Sequence, residues 1–349
     1  TPIVADQVRD LTEAGFEILT RVVTPIMPNP SIEPFGFVDG VSQPVIKGTP
    51  AALGAHNQLH LVEPGEIVLG YRDNTEYYPS SPMVNALAPG ARHLPSLPEH
   101  ELDAYPAFGT DPAHAPRDLG KNGSFLVIRQ LEQDKTGFKA HLKAKAKEAQ
   151  TEYGLSYIDE RWLGAKIMGR WDDGSSLVAN PEKAKDKEGF NPTLQDNAFR
   201  LGTEDPQGHR CPYGAHIRRA NPRDSQKPGQ DSQIELSNRH RILRRGRVYK
   251  DHSTEDKGLL FMCLNANLER QFEFVQQTWL NATRFHGLHD EYDSIAGKAA
   301  QQPNKFTIPT PSGPIEINDL QSFVTVKGGG YFFMPSRSAL RFLSKLVVS

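Results

Sequence analysis

The part of the chain that most constrains its fold begins at residue 124, where the spacing of apolar residues switches between strand and helix periods in a definite order. Ser124-Phe-Leu-Val-Ile-Arg129 is a β-rich run, and residues 138–153 form an Ala/Lys/Glu-rich helix behind Gly137. Residues 172–240 are polar and loop-rich. Gly258-Leu-Leu-Phe-Met-Cys263 then reads as a buried strand and residues 268–280 as an amphipathic helix. Residues 323–327 and 331–333 read as strands, and residues 337–346 as a closing helix. Strand, helix, loops, strand, helix, strand is an α+β order, with a mostly antiparallel sheet covered by helices on one face.

The region before 124 shows a partial version of that order. Val8, Leu11, Ala14, Ile18 and Leu19 are spaced as on a helix over residues 4–21, with Gly15 inside it. A Pro-rich stretch, 25–34, favours extended chain, and residues 66–71 read as a short strand. Residues 73–120 hold eight prolines and few periodic apolar positions, the pattern of a long surface loop system. These readings divide the chain into a partial unit over 1–120 and a more complete one over 121–349.

With 37% hydrophobic and 23% charged residues among 349, the chain can bury a substantial core. A formal charge of −2 argues against a nucleic-acid partner, which needs concentrated Lys and Arg. No apolar run approaches the ~20 residues that cross a bilayer, so no membrane partner is expected. Two cysteines, Cys211 and Cys263, are too few for a disulfide framework or a Cys-rich metal site. Neither forms Cys-x-x-Cys-His, so any haem would be held without covalent attachment.

Three segments could carry chemistry. Gly36-Phe-Val-Asp-Gly40 places Asp39 between glycines that let backbone approach a flat ligand; it could equally be a tight turn in which Asp39 bonds its own backbone. In Cys211-Pro-Tyr-Gly-Ala-His216-Ile-Arg-Arg-Ala-Asn-Pro-Arg223, His216 stands among small residues where an imidazole could reach a metal. Arg218, Arg219 and Arg223 could pair there with a cofactor's carboxylates, and the plain alternative is a structural histidine beside a solvated basic turn. Arg241-Ile-Leu-Arg-Arg-Gly-Arg247 could be basic surface, or a strand whose end projects Arg244 inward, where a fixed guanidinium stabilises developing anionic charge. Leu259 and Phe261 share a strand face and could roof an apolar pocket, with core packing as the alternative.

Taken in this order, the motifs resemble those of the dye-decolourising peroxidases. Phe35-Gly-Phe-Val-Asp-Gly-Val-Ser-Gln-Pro44 is similar to that family's Gly-x-x-Asp-Gly signature, and the segments around Met168-Gly-Arg-Trp171, His216, Arg244, Gly258–Cys263 and Lys327-Gly-Gly-Gly-Tyr-Phe-Phe-Met-Pro335 match it too. The resemblance runs from about Phe35 to the C-terminus. It implies two ferredoxin-like domains with antiparallel sheets, of the dimeric α+β barrel type, and one non-covalent haem b. It implies His216 as the iron ligand, Asp39 as the distal acid–base and Arg244 as the distal arginine, with Arg245 beside it as the alternative. Gly40, Val41 and Ser42 match backbone lying against the haem, and Asn221, Pro222 and Arg223 a second haem-contacting stretch. An acidic partner is expected for the other nitrogen of His216, with Asp293 as the candidate.

The activity so implied is reduction of hydrogen peroxide and one-electron oxidation of a dye, phenol or similar donor. A bulky donor would be oxidised through a surface aromatic, for which Trp162, Trp171, Trp279 and Tyr331 are candidates. The same resemblance leaves a haem-binding or iron-releasing protein without peroxidase turnover as the alternative. Only 38 residues precede Asp39, fewer than in family members. The first domain is therefore expected to be truncated at its N-terminus and completed by a separate segment or second chain. A homo-oligomer and the compartment stay open; two cysteines and no visible signal favour a cytoplasmic protein over a secreted one whose N-terminus was processed.

Overall fold

The computed structural model describes residues 2–17, 22, 24, 31–53, 59–97, 115–186, 195–250, 257–297 and 304–346. The chain opens with α1 (Pro2–Glu13) and four two-residue strands, β1 (Val45–Ile46), β2 (Leu61–Val62), β3 (Met83–Val84) and β4 (Arg117–Asp118). Then follow β5 (Ser124–Gln133), α2 (Lys135–Tyr153), α3 (Glu160–Met168), α4 (Leu201–Glu204), α5 (His216–Ala220) and α6 (Asp231–Asn238). The last part holds β6 (Leu243–Arg244), β7 (Arg247–Lys250), β8 (Lys257–Asn265), β9 (Asn304–Ile308), β10 (Ile315–Leu320), β11 (Val324–Met334) and α7 (Arg337–Leu343). The architecture is α+β, as expected.

The central sheet has the order β11-β5-β8, and β6 and β7 share the far edge of β8. Every neighbouring pair in it is antiparallel. Strand pairing fixes which residues share a face. Tyr331, Val127, Cys263 and Arg244 form one cross-strand row, and Phe332, Leu126, Leu264 and Leu243 form the next, on the opposite face. The first face is covered: Val127 and Cys263 are buried with Phe272, and Ile242, Phe261 and Leu268 pack against them. Phe261, partly buried, packs at the edge of this core. On the second face Leu126, Ile128, Leu260, Met262 and Leu264 stay partly exposed, and Phe332 is 50% exposed. None of these belongs to a buried cluster among the described residues.

The largest core lies where α2 and α3 meet the β9–β10 hairpin. Phe138, Leu142, Ala146 and Ala149 of α2 face Leu163, Ile167, Phe306, Ile308, Ile315, Ile317 and Leu320. α2 starts where the Asp134 carboxylate accepts the Gly137 N–H at 2.8 Å, and stops at Gly154, whose φ of +66° is left-handed. Phe35 and Phe37 join this same core, with the Phe35 ring 4.3 Å from that of Phe138. The motif loop is thus anchored to the main body of the molecule.

Several elements differ from expectation. The N-terminal helix ends at Glu13, because Gly15 turns the chain with φ +89°; positions 18–21 of the expected helix lie outside the described residues. Of the expected extended stretch 25–34, positions 25–30 also lie outside them, as do parts of the loop regions, 98–114 and 187–194. Residues 66–71 form no strand. Pro64 opens a 3-10 turn, Pro64–Glu66, and the N–H groups of Ile67 and Val68 both bond its carbonyl, which consumes locally what a strand would offer sideways. The expected helix over 268–280 is π-helical in two pieces, Glu269–Glu273 and Val275–Leu280, seen in the bond from Glu273 N–H to Leu268 C=O at 2.9 Å. The two runs at 323–327 and 331–333 are one strand, β11, with a register shift between Val326 and Gly328.

Candidate functional site

The loop that carries Asp39 is a miniature hairpin. Asp39 N–H bonds Ser31 C=O at 2.8 Å, Ile32 and Val38 form an antiparallel bridge, and Glu33 N–H bonds Phe37 C=O at 2.9 Å. Val38 N–H is also tied to Asp172 C=O at 3.0 Å. Gly36 and Gly40 have φ of +108° and +83°, a region that favours glycine; this is the physical reason for the glycines that bracket the aspartate. Asp39 Oδ1 accepts the Gly40 N–H at 2.6 Å, the self-bonded turn that was the plain alternative, and also faces Arg244 Nη1 at 3.3 Å. Its Oδ2 has no protein partner among the described residues, and both side chains remain about a quarter to a third exposed, 25% and 30%.

Gln43 explains how two residues so distant in sequence meet. Its Oε1 accepts the Arg244 N–H at 3.0 Å, and its Nε2 donates to the Arg244 C=O at 3.2 Å. The amide therefore reads the edge of β6 as a neighbouring strand would. β6 pairs with β8, Arg244 opposite Cys263, and this fixes the face from which the guanidinium projects. Arg245 points the other way: it is exposed and helps line a cleft of about 350 Å³ with Gly40, Val41, Pro44, Val45 and Leu243.

His216 is the first residue of α5. Its Nδ1 lies 3.0 and 3.2 Å from the two carboxylate oxygens of Asp293, the acidic partner expected for it. Burial opposes a charge on the imidazole, but the Asp293 carboxylate outweighs it, so the His216 pKa is raised and that of the wholly buried Asp293 is lowered. With Nδ1–H donated to Asp293, Nε2 keeps its lone pair for a metal. The charges of Arg244 and Glu33 both bear on His216, so the Asp39–Arg244 pair and the His216–Asp293 pair occupy one electrostatic neighbourhood.

Arg218 and Arg219 are not available to a cofactor. Both are fully buried. Arg218 bonds Asp205 and the Cys211 carbonyl, and Arg219 bonds the carbonyls of Trp279, Ala282 and Glu291 at 2.7–2.9 Å. They lock α5 against its surroundings and so aim His216. Arg223 behaves differently. With Arg170 and Arg241 it forms a buried guanidinium cluster around Asn197 and His60. Asn197 Oδ1 accepts from both Arg170 and Arg223, at 2.6 and 2.7 Å. Arg241 reaches Ser42 C=O at 3.1 Å and Asn197 reaches Val41 C=O at 3.3 Å, so the cluster also holds the segment after Asp39. None of the three makes an ion pair with a carboxylate among the described residues. Burial, then mutual repulsion, lowers the pKa of Arg223 well below its usual value, while burial foremost brings Arg170 to about 10 and Arg241 to about 9.

Residues 187–299 match the family model described as Dyp-type peroxidase, C-terminal. The chain is 32% identical over 335 residues to the multifunctional dye peroxidase DyP2 of an Amycolatopsis species, covering 89% of this chain and 61% of that protein. It is 30% identical to peroxidase 2 of Mycetinis scorodonius, covering 88% of this chain and 56% of that one. Among solved structures it is similar to an ancestral D-type dye-decolourising peroxidase, with a TM-score of 0.65, 27% identity and coverage of 91% of this chain and 64% of that one. The chain is thus similar to the dye-decolourising peroxidases over most of its length, and residues 187–299 match their C-terminal part. It spans 56–61% of the length of the two curated relatives named here.

Members of this family depend on haem, and two observations show that the residues present fit it. One is the imidazole whose Nδ1 is committed to Asp293 and whose Nε2 is left for iron. The other is the buried guanidinium cluster without carboxylate partners, which suits an anionic group such as a haem carboxylate. Of the remaining expected cofactor residues, Gly40 and Val41 line the cleft, Ser42 is tied to Arg241, and Asn221 and Pro222 follow α5 directly. Arg223 takes a left-handed φ of +53°, an uncommon state for a non-glycine residue. Trp171 and Trp279 are buried, whereas Tyr331 is 42% exposed, with the Arg129 guanidinium 4.9 Å from its ring centre.

Sequence reasoning missed Glu33, His60, Asn197 and the buried roles of Arg170 and Arg241. Arg170 and Arg241 stood inside segments already singled out. His60 and Asn197 each end a short 3-10 segment, and no local spacing distinguishes them.

Proposed function

We propose that this chain binds one haem b without covalent attachment and uses it to reduce hydrogen peroxide, oxidising dyes, phenols or similar donors one electron at a time. The observation that carries this reading is the convergence of Asp39–Arg244 and His216–Asp293, drawn from four distant segments, in one electrostatic neighbourhood. Haem, when bound, would supply the iron at which peroxide is reduced and would hold the oxidising equivalents passed to the donor. His216 Nε2 would ligate that iron while Asp293 holds the ring and its tautomer. Asp39 would take the peroxide proton on its unpartnered Oδ2 and return it to the departing oxygen. Arg244, held by Gln43, would stabilise the negative charge that develops as the O–O bond breaks. Gly40, Val41, Ser42, Asn221, Pro222 and Arg223 would contact the haem, with Arg223 and Arg241 near its carboxylates. Tyr331 is the candidate aromatic that a bulky donor can reach.

Absorption spectra of the purified protein with and without hydrogen peroxide test the reading. A Soret band that shifts on peroxide addition is expected, and its absence overturns the proposal. His216→Ala should lose the band. Asp39→Asn keeps an acceptor oxygen for the Gly40 N–H, so it should retain haem while reacting about 10²–10⁴-fold more slowly with peroxide. A normal rate in Asp39→Asn would remove Asp39 from the distal role.

A boundary near residue 120 between two ferredoxin-like units belongs to the same proposal. It is supported by the central sheet, all of whose described strands come after residue 123, while earlier pairing among the described residues is confined to two-residue strands and isolated bridges. We also propose that a separate segment or second chain completes the first unit; the shortness of that unit's strands among the described residues supports it.

A further inference from the structure

We propose that Glu33 is the positioning residue of the distal loop, its carboxylate holding the backbone of the Phe35–Phe37 turn so that Asp39 leaves the hairpin at a fixed angle. This inference rests on the reading of Asp39 given above. Glu33 Oε2 accepts the Phe35 N–H at 2.9 Å and Oε1 accepts the Phe37 N–H at 3.0 Å. The same carboxylate accepts from Gln133 Nε2, at the end of β5, at 3.1 Å. The Glu33 main chain closes the loop as well: its N–H bonds Phe37 C=O and its C=O accepts the Gly36 N–H, both at 2.9 Å.

These bonds sit where the loop otherwise lacks support. A turn that runs through Gly36 at φ +108° has no side chain of its own to restrain it, and glycine is free to take other conformations. Phe35 and Phe37, on either side, are buried in the main core. Their side chains fix where the loop sits but not how the intervening peptides are oriented. A carboxylate that accepts two N–H groups two residues apart fixes both peptide planes at once. Two residues further on stands Asp39. The Gln133 contact ties the same carboxylate to the central sheet, which also carries Arg244 on β6, so both members of the distal pair are referred to one frame.

Burial raises the Glu33 pKa against these three hydrogen bonds, and the nearby Asp39 charge adds to the rise. Placing a carboxylate close to a second one is unfavourable, so a residue kept there only for packing would be better served by an uncharged side chain. What a carboxylate offers that an amide does not is two acceptor oxygens. A glutamine would have to turn an NH2 group toward either Phe35 N–H or Phe37 N–H.

The test uses Glu33→Gln and Gln133→Met. In the protein without added haem, amide hydrogen exchange at Phe35 and Phe37 should quicken about tenfold or more in Glu33→Gln, the factor expected when a hydrogen bond to a charged acceptor is lost. Exchange at Leu126 and Val127 in β5 should not change. In the haem-loaded protein the same variant should keep the Soret band and its donor saturation while its rate with peroxide falls about tenfold. Gln133→Met, which leaves both backbone bonds intact, should move exchange and rate in the same direction by a smaller factor. Wild-type exchange at Phe35 and Phe37 in Glu33→Gln overturns the inference, as does a wild-type peroxide rate despite altered exchange. If Glu33→Gln does not fold, unchanged exchange and rate in Gln133→Met overturn it instead. A wild-type protein that takes up haem but ignores peroxide would sink the peroxidase reading, while the exchange arm would still decide whether Glu33 holds the loop.

Discussion

His60 shows how much a single buried side chain can do in this site. It is 1% exposed, donates Nε2–H to Asn197 C=O at 2.9 Å, and accepts from Arg241 at its Nδ1, 3.2 Å away. Both nitrogens are therefore used by the neutral ring, and protonation would place a cation among three guanidiniums. Burial first, then Arg223 and Arg241, drive its pKa down to about 2. A histidine whose folded pKa is depressed adds stability above its unfolded pKa of about 6.5 and loses it as pH falls below that value. Between pH 6.5 and 5 the cost is about 2 kcal/mol, at roughly 1.4 kcal/mol per pH unit. Urea denaturation of the apoprotein at pH 7 and pH 5 should show wild type losing that much more than His60→Gln. Parallel losses in both proteins would show that His60 is not the titrating group.

At the scale of elements, α2 is the beam on which the distal loop rests. Phe138 lies between Phe35, at 4.3 Å, and Phe323, at 5.8 Å between ring centres, and is 5% exposed. Phe138→Ala should cost about 3–5 kcal/mol by urea denaturation, because it removes a buried ring and leaves a cavity beneath the loop. A loss under about 1 kcal/mol would mean that the core collapses around the gap. Elements were legible where local pattern and tertiary environment agreed. The β5–α2 unit is legible in type and order, but α2 begins at Lys135, so Gly137 lies in its first turn and donates to the Asp134 cap instead of standing before the helix. The β9–β10 hairpin was missed although Phe306, Ile308, Ile315 and Ile317 alternate in burial along their strands. Strands of five and six residues among prolines give a period-2 signal too short to stand out. The π-helical form of 269–280 was invisible for a different reason: apolar spacing alone does not separate it from an α-helix.

For the whole molecule, the consequential feature is the unequal treatment of the two sheet faces. One carries Arg244 and is covered by Phe272 and Leu268; the other presents Leu126, Ile128, Leu260, Met262, Leu264 and Phe332. An apolar surface spread over three strands is larger than scattered exposed residues explain, and such faces pack against another layer. Phe332→Lys should therefore lower binding of a hydrophobic dye such as ANS and lower the protein's tendency to self-associate, measured by light scattering after size exclusion. Stability should stay within about 0.5 kcal/mol of wild type, since the position is half exposed. Unchanged dye binding and association would show that the face is not an open docking surface.

Much of the site was legible in residue type and order. Asp39 between glycines, His216 among small residues and Arg244 after two apolar residues each stood out, because backbone freedom, metal access and strand direction leave local traces. The sequence alone also determined the α+β order after residue 124, through the alternation of hydrophobic periods. Tertiary structure decided which arginines are free. Arg218, Arg219, Arg223 and Arg244 look alike in sequence, yet the first is consumed by Asp205 and a backbone carbonyl, the second by backbone carbonyls, the third joins a buried cluster and the fourth faces Asp39. It also decided that Gln43, His60, Asn197 and Glu33 matter. Their roles come from hydrogen bonds that, in most cases, close over long sequence separations, 201 residues for Gln43 with Arg244. Such bonds depend on where the chain returns in space, and no local pattern encodes that.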